Sequence, residues 1–178
     1  MRLVWDHLGT TGARARVWEG SLSVRAALAD AAMGCRAAGV PDLSRRALQV
    51  VAVSYGVPYV WGGIDGLTGC DCTGYTYWVS RAIPGITAQP FPRAGRYQAQ
   101  LGRRIDWRRA RLGDLVVYTR RNGTLRHAML ALGNGWVVGA RGGDENVAAN
   151  RPSAFIDLRR ADYWSSALSH AVATGAAA

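Results

Sequence analysis

Apolar residues recur at helical spacing over residues 43–55, where Leu43, Ala47, Leu48, Val51 and Tyr55 share one stripe and Arg45 and Arg46 fall off it. Asp42 or Ser44 is placed to cap this helix, and Gly56-Val57-Pro58 ends it. A Gly-rich loop follows from Tyr59 to Gly66. A second helix is predicted from about Cys72 through Ile83, stopped by Pro84-Gly85, and a short third one around 93–101. The last third of the chain changes period. Leu115–Thr119, His127–Leu132 and Trp136–Arg141 are apolar runs separated by Arg121-Asn122-Gly123 and Gly133-Asn134-Gly135, and Asn-Gly is the strongest short hairpin signal. Residues 154–158 suit a fourth strand. Helices first and an antiparallel meander afterwards predict an α+β domain.

The first forty residues read differently. Short apolar-aromatic stretches at 2–5 and 14–19 flank Gly9-Thr10-Thr11-Gly12 and suggest a hairpin; 22–38 suggests a helix ended by Gly39-Val40-Pro41. The expected organisation is an N-terminal docking extension over 1–40, the main domain over 41–165, and a flexible Ala-rich tail over 166–178.

Composition narrows the function classes. With 49% hydrophobic and 19% charged residues, the chain is expected to bury a core. No apolar run approaches membrane-span length, and the N-terminus lacks a signal peptide's apolar stretch. The expectation is synthesis in the cytoplasm, with some other carrier taking the protein to any external substrate. The formal charge of +10, almost all from arginine, fits either a GC-rich coding bias or attraction to a polyanion. No basic stripe with interleaved aromatics appears, so no nucleic-acid partner is expected. An odd count of cysteines, at 35, 70 and 72, argues against a disulfide framework, and Cys70-Asp71-Cys72 is too tight for a zinc knuckle, so no metal is expected.

The chemistry concentrates in Asp71-Cys72-Thr73-Gly74. A cysteine in the first turn of a helix meets unpaired backbone N–H groups and the positive end of the dipole, which favour a thiolate. The same groups suit an oxyanion. Thr73 and Gly74 are small, which is expected to leave room for substrate. Of the three histidines, His7 and His170 lie in terminal segments, whereas His127 begins a predicted strand. Its imidazole is the candidate base, taking the thiol proton and returning it to a leaving amine. Without further pattern, a lone cysteine on an apolar helix is more often packing, and a lone histidine a satisfied core or surface residue.

Further pattern exists. Tyr59-Val60-Trp61-Gly62-Gly63, followed by Asp71-Cys72-Thr73-Gly74, resembles the Y-x-W-G-G … D-C-S-G signature of NlpC-type cell-wall cysteine peptidases. Pro92-Arg93 resembles the family's P-R before a helix. Leu112-Gly113-Asp114-Leu115-Val116-Val117-Tyr118 resembles its P-G-D-L strand. His127-Ala128-Met129-Leu130-Ala131-Leu132-Gly133-Asn134-Gly135 resembles its H-V-G-I-Y-L-G-N-G strand and turn. These elements stand in the family's order over residues 43–141. The resemblance implies a papain-like fold, with N-terminal helices packed on a central antiparallel sheet. It implies a thiol protease, an endopeptidase of peptidoglycan stem peptides, often cutting between D-glutamate and the diamino acid, with no metal or organic cofactor. By match, Cys72 is the nucleophile, His127 the base, and Tyr59 a hydroxyl near the oxyanion. Asp71, Thr73 and Trp61 are candidates to line the cleft, with Asp71 alternatively only stabilising its turn. Cys70 reads as a packed thiol and Asp114 as a turn holder.

Thr73 for serine and Leu112 for proline are mild departures. A third is larger: the family's histidine-orienting residue commonly lies twelve positions after the histidine, and Gly139 stands there. A main-chain carbonyl, or Asp144, Asn146 or Asn150 from beyond Gly142-Gly143, is the candidate substitute, with Asp144 foremost; a weakened enzyme is the alternative. The run from Val137 to Asp144 resembles phage and secreted wall hydrolases. The implied setting is therefore a phage tail, lysis system or secretion machine docked through residues 1–40. The competing readings are an inactive assembly module of a phage tail and a protein-directed acyltransferase or deamidase effector of the same fold.

Overall fold

The computed structural model describes residues 41–141, 155–161 and 168–175. The expected hairpin, helix and docking role of residues 1–40, and the candidates Asp144, Asn146 and Asn150, lie outside them.

Helix α1 (Pro41–Ser54) forms on the amphipathic stripe and buries Ala47, Val51 and Ala52. Gly56, with φ of 78°, supplies the left-handed turn that ends it. Ser54 ties α1 to the next helix: its hydroxyl donates to Val50 O at 2.7 Å and shares a buried 2.9 Å hydrogen bond with Tyr75. The Gly-rich loop contains a miniature antiparallel pair, β1 (Ile64–Asp65) and β2 (Gly69–Cys70), too short for any periodicity to announce. Helix α2 (Cys72–Ala82) and the short α3 (Gly95–Gln98) follow.

Strands β3 (Arg103–Ile105), β4 (Leu115–Thr119), β5 (Leu125–Gly133), β6 (Trp136–Arg141), β7 (Phe155–Arg160) and β8 (Leu168–Ala173) make a sheet of order β3-β8-β4-β5-β6-β7, with a 3-10 turn at Trp107–Arg109. Every neighbouring pair is antiparallel. Strand alternation sorts side chains between two cores. Leu115, Val117, Leu130 and Val138 pack with Val51, Tyr75, Val79 and Ile83 of the helices. On the other face, Val116, Tyr118, Met129, Ala131 and Val137 pack with Ile105, Trp107 and Ala110. This is the α+β arrangement of helices on a central antiparallel sheet.

One expectation is corrected. Residues 168–175 are not a frayed tail. β8 lies inside the sheet between β3 and β4, and His170 is the fixed register partner of Val117. Asp114, buried at the entrance to β4, fastens this segment: Oδ1 accepts the N–H groups of Thr174 (3.0 Å) and Gly175 (2.9 Å), and Oδ2 accepts that of Arg111 (2.8 Å). It therefore holds far more than a turn. Asp114→Ala leaves buried donors unpaired and is expected to cost about 2 kcal/mol or more, read as a lowered denaturation midpoint, with Asp114→Asn less damaging.

Candidate active site

Asp71 builds the site. Its extended backbone makes it the N-cap of α2, and its carboxylate Oδ1 accepts Gly74 N–H at 2.7 Å and the Thr73 hydroxyl at 3.1 Å. Oδ2 accepts Gly62 N–H at 3.0 Å and the Arg93 guanidinium at 2.5 Å. Arg93 also donates to Thr73 Oγ1 at 2.7 Å, and Asp71 N–H reaches Gly63 O at 3.3 Å. One carboxylate thus holds the helix end, the Gly62-Gly63 loop and the Pro92-Arg93 segment in register.

Gly74 and Thr73 are small for a different reason than substrate access. A Cβ at Gly74 would sit 2.0 Å from Gly63 O, so the loop's carbonyl fills that room. Thr73 is buried and spent on Asp71 and Arg93. Gln98, fully buried, accepts the Thr76 hydroxyl at 2.6 Å and donates to Thr73 O (2.9 Å) and Pro92 O (2.8 Å). It clamps the first turn of α2 to the segment that carries Arg93. The sequence gives no signal for Gln98, because a polar residue in a short helix looks like surface; Arg93 is visible only through its motif.

Cys72 is the first residue of α2 and half-buried. The backbone N–H groups of Ala128 and Thr73 point at its sulfur and, with Arg93, favour the thiolate. They do not win. Burial, reinforced by the Asp71 carboxylate, pushes the thiol up to about 11. Desolvation thus works against the thiolate that the helix start and the two N–H groups favour. Cys70 is sealed and pushed up to about 12 by burial, which leaves it no nucleophilic role.

His127 lies on β5, one residue before the Ala128 amide that faces Cys72. It shares the alternation of Met129 and Ala131, its register partner is Tyr118, and their ring centroids are 5.8 Å apart. The structure brings the thiol to the strand that bears the imidazole: Cys72 faces the amide of Ala128, the residue after His127. Burial holds His127 down to about 4, Arg141 and Arg126 push the same way, and Asp71 opposes them. Tyr59 is buried beside these groups, and its phenol is raised well above its ordinary value by burial and by the charges of Cys72 and Asp71, so it stays a neutral donor. Trp61, 67% exposed, stands on the loop rim with Val60 at 37%.

The buried imidazole has a stability consequence. Its folded value of about 4 lies below the unfolded value of about 6.5, so between these pH values the unfolded chain binds the extra proton. Stability is full above about 6.5 and falls as pH drops towards 4, by up to about 3 kcal/mol. Urea midpoints at pH 7, 5.5 and 4.5 should show this loss in wild type, and His127→Gln should flatten it.

Among the described residues no group of three His, Cys, Asp or Glu side chains is arranged to hold a metal ion, and no helix is long and apolar enough to cross a membrane. The comparisons with known proteins agree with the geometry. Protein P54 of Enterococcus faecium is 36% identical over 103 residues, which are 55% of this chain and 19% of that protein. Gamma-D-glutamyl-L-lysine dipeptidyl-peptidase of Bacillus subtilis (strain 168) is 33% identical over 90 residues, 49% of this chain and 29% of that one. The chain thus spans less than a third of the length of these curated relatives. The crystal structure of the NlpC/p60 domain of peptidoglycan hydrolase SagA superposes with a TM-score of 0.54 at 26% identity, covering 72% of this chain and 97% of that domain. The NlpC/P60 family model matches residues 56–173, which include the capped cysteine, the loop that locks onto it and the strand behind it. A chain that carries this family's pattern over most of its length, on this family's fold, belongs to the NlpC/P60 family.

Proposed function

We propose that this chain is a cysteine peptidase that hydrolyses amide bonds in peptidoglycan stem peptides, with Cys72 as nucleophile and His127 as general base. The observation that carries the reading is a cysteine at a capped helix start onto which two backbone N–H groups, of Thr73 and Ala128, converge. In this reading the Cys72 proton passes to His127 and the sulfur attacks the carbonyl carbon. The N–H groups now aimed at the sulfur, with the Tyr59 hydroxyl, receive the developing oxyanion. The imidazolium returns the proton to the leaving amine, and water, deprotonated by His127, cleaves the thioester. Asp71 and Thr73 act through the loop and Arg93, while Trp61 is free to line the cleft. Asp144 is our polar candidate to orient the imidazole from beyond β6.

The scissile bond in this reading follows D-glutamate, supported by the likeness to the gamma-D-glutamyl peptidase. Delivery by a virion, a lysis system or a secretion machine, with docking through residues 1–40, is supported by the likeness of the run Val137 to Asp144 to phage and secreted wall hydrolases.

A second reading, an assembly module that kept the fold and lost the chemistry, is favoured by the raised thiol and by Gly139. Incubating the protein with purified sacculi and reading released fragments by mass spectrometry separates the two. New amine ends on the diamino acid support hydrolysis; an unchanged sacculus, with a Cys72 thiol inert to an iodoacetamide probe even at pH 9, supports the module.

A further inference from the structure

Gly139 lies where an orienting side chain is expected, yet the space beside it is filled. A Cβ built on Gly139 would meet Met129 Cγ at 3.0 Å, with Met129 Cβ and Ala128 O each at 3.4 Å. Met129 is fully buried on β5, two residues from His127 and on the same face. In the same core, Tyr118 of β4, also fully buried, donates its hydroxyl to Ala161 O at 2.8 Å and holds its ring centroid 5.8 Å from that of the imidazole. A bulky residue at 129 and none at 139 are complementary: each shape requires the other in a close-packed interior.

We propose that Met129 and Gly139 are one reciprocal pair, in which the Met129 side chain occupies the place of a histidine-orienting residue and, with Tyr118, positions the imidazole by packing. Position 139 is tight: a side chain there would need Met129 to give way by a few tenths of an ångström, and with glycine in place any polar partner of His127 reaches it from elsewhere. Met129 touches no reacting atom; it is a positioning residue. The inference rests on the reading of His127 as base, but the Met129–Gly139 coupling itself is measurable without catalysis.

The test is a double-mutant cycle of Met129→Gly, Gly139→His and the two together. It is read by thermal midpoint, by His127 titration in NMR, and by kcat and KM on a soluble stem peptide. Gly139→His alone is expected to lower the midpoint by several degrees and kcat by about tenfold or more, with KM little changed. Met129→Gly alone lowers both midpoint and kcat by loosening the imidazole. The double variant recovers most of both losses and raises the His127 titration point, because the new imidazole accepts from the old. Met129→Leu, which keeps the apolar volume, retains kcat within about threefold. If the histidine variants do not fold, the same cycle with Met129→Ala and Gly139→Ala, read by thermal midpoint alone, carries the test. Midpoint shifts of the two single variants that simply add in the double variant overturn the proposal. A silent wild type with a coupled cycle would instead overturn only the hydrolase reading.

Discussion

Cys72→Ala is expected to reduce release of new amine ends from sacculi by about a thousandfold or more, while leaving the thermal midpoint within a few degrees of wild type. Among the described residues no other thiol can stand in for the lost sulfur, because Cys70 is sealed in the core. The fold tolerates the change because Cys72 is half-buried, and the helix start is held by Asp71 rather than by the thiol. Cys72→Ser is a sharper version of the experiment. It keeps the shape, but a hydroxyl in this setting is still harder to deprotonate than a thiol already pushed up to about 11, so its activity should lie near that of the alanine variant. Fragment analysis by mass spectrometry checks both, and substantial cutting by either would remove the sulfur from the chemistry.

The second large effect comes from a single methyl group. Glycine inside a helix normally costs roughly 0.5–1 kcal/mol relative to alanine, so Gly→Ala there is a common stabilising change. Gly74→Ala is expected to do the reverse. The new Cβ would fall 2.0 Å from Gly63 O and 3.2 Å from Asp71 Oδ1, and it can be relieved only by pushing the loop off the helix. That movement breaks the Gly62–Asp71 and Asp71–Gly63 bonds and shifts the wall of the cleft next to the nucleophile. A displacement near 1 Å at a reacting centre lowers kcat by about a hundredfold. Gly123→Ala is the control. It sits in a hairpin turn with φ of 79° and nothing within 4 Å, so it should cost about 1 kcal/mol of stability and leave turnover unchanged. A Gly74→Ala protein with full kcat and a raised melting temperature would show that the loop is not held as described.

The sequence makes some parts of this molecule readable and hides others, for physical reasons. α1 and α2 announce themselves by helical spacing of apolar residues, and β4–β6 because strands buried on both faces are continuous apolar runs, punctuated here by Asn-Gly turns. β8 does not. Its Leu-Ser-His-Ala-Val-Ala run sits in alanine-rich surroundings, and its place between β3 and β4 is decided by partners such as Asp114, sixty residues away. β3 goes unmarked in the sequence because Arg103 and Arg104 break its apolar pattern, and only its pairing with β8 reveals it. At the site, the identity of Asp71 and Cys72 is legible, but the burial that opposes the thiolate is not, since desolvation depends on the packed environment rather than on the helix start. The pairing of Met129 with Gly139 is likewise invisible in a string, because it exists only across two strands.

The late-arriving inner strand bears on how the chain is made. Until residue 175 has cleared the ribosome, β3 and β4 cannot be joined, and a nascent chain carries two open strand margins with their amides unmatched. Closing such a distant pairing is slow compared with helix formation. Co-translational assembly should therefore stall at a half-zipped intermediate, vulnerable to proteolysis and self-association, and complete in one step when the last strand slots in.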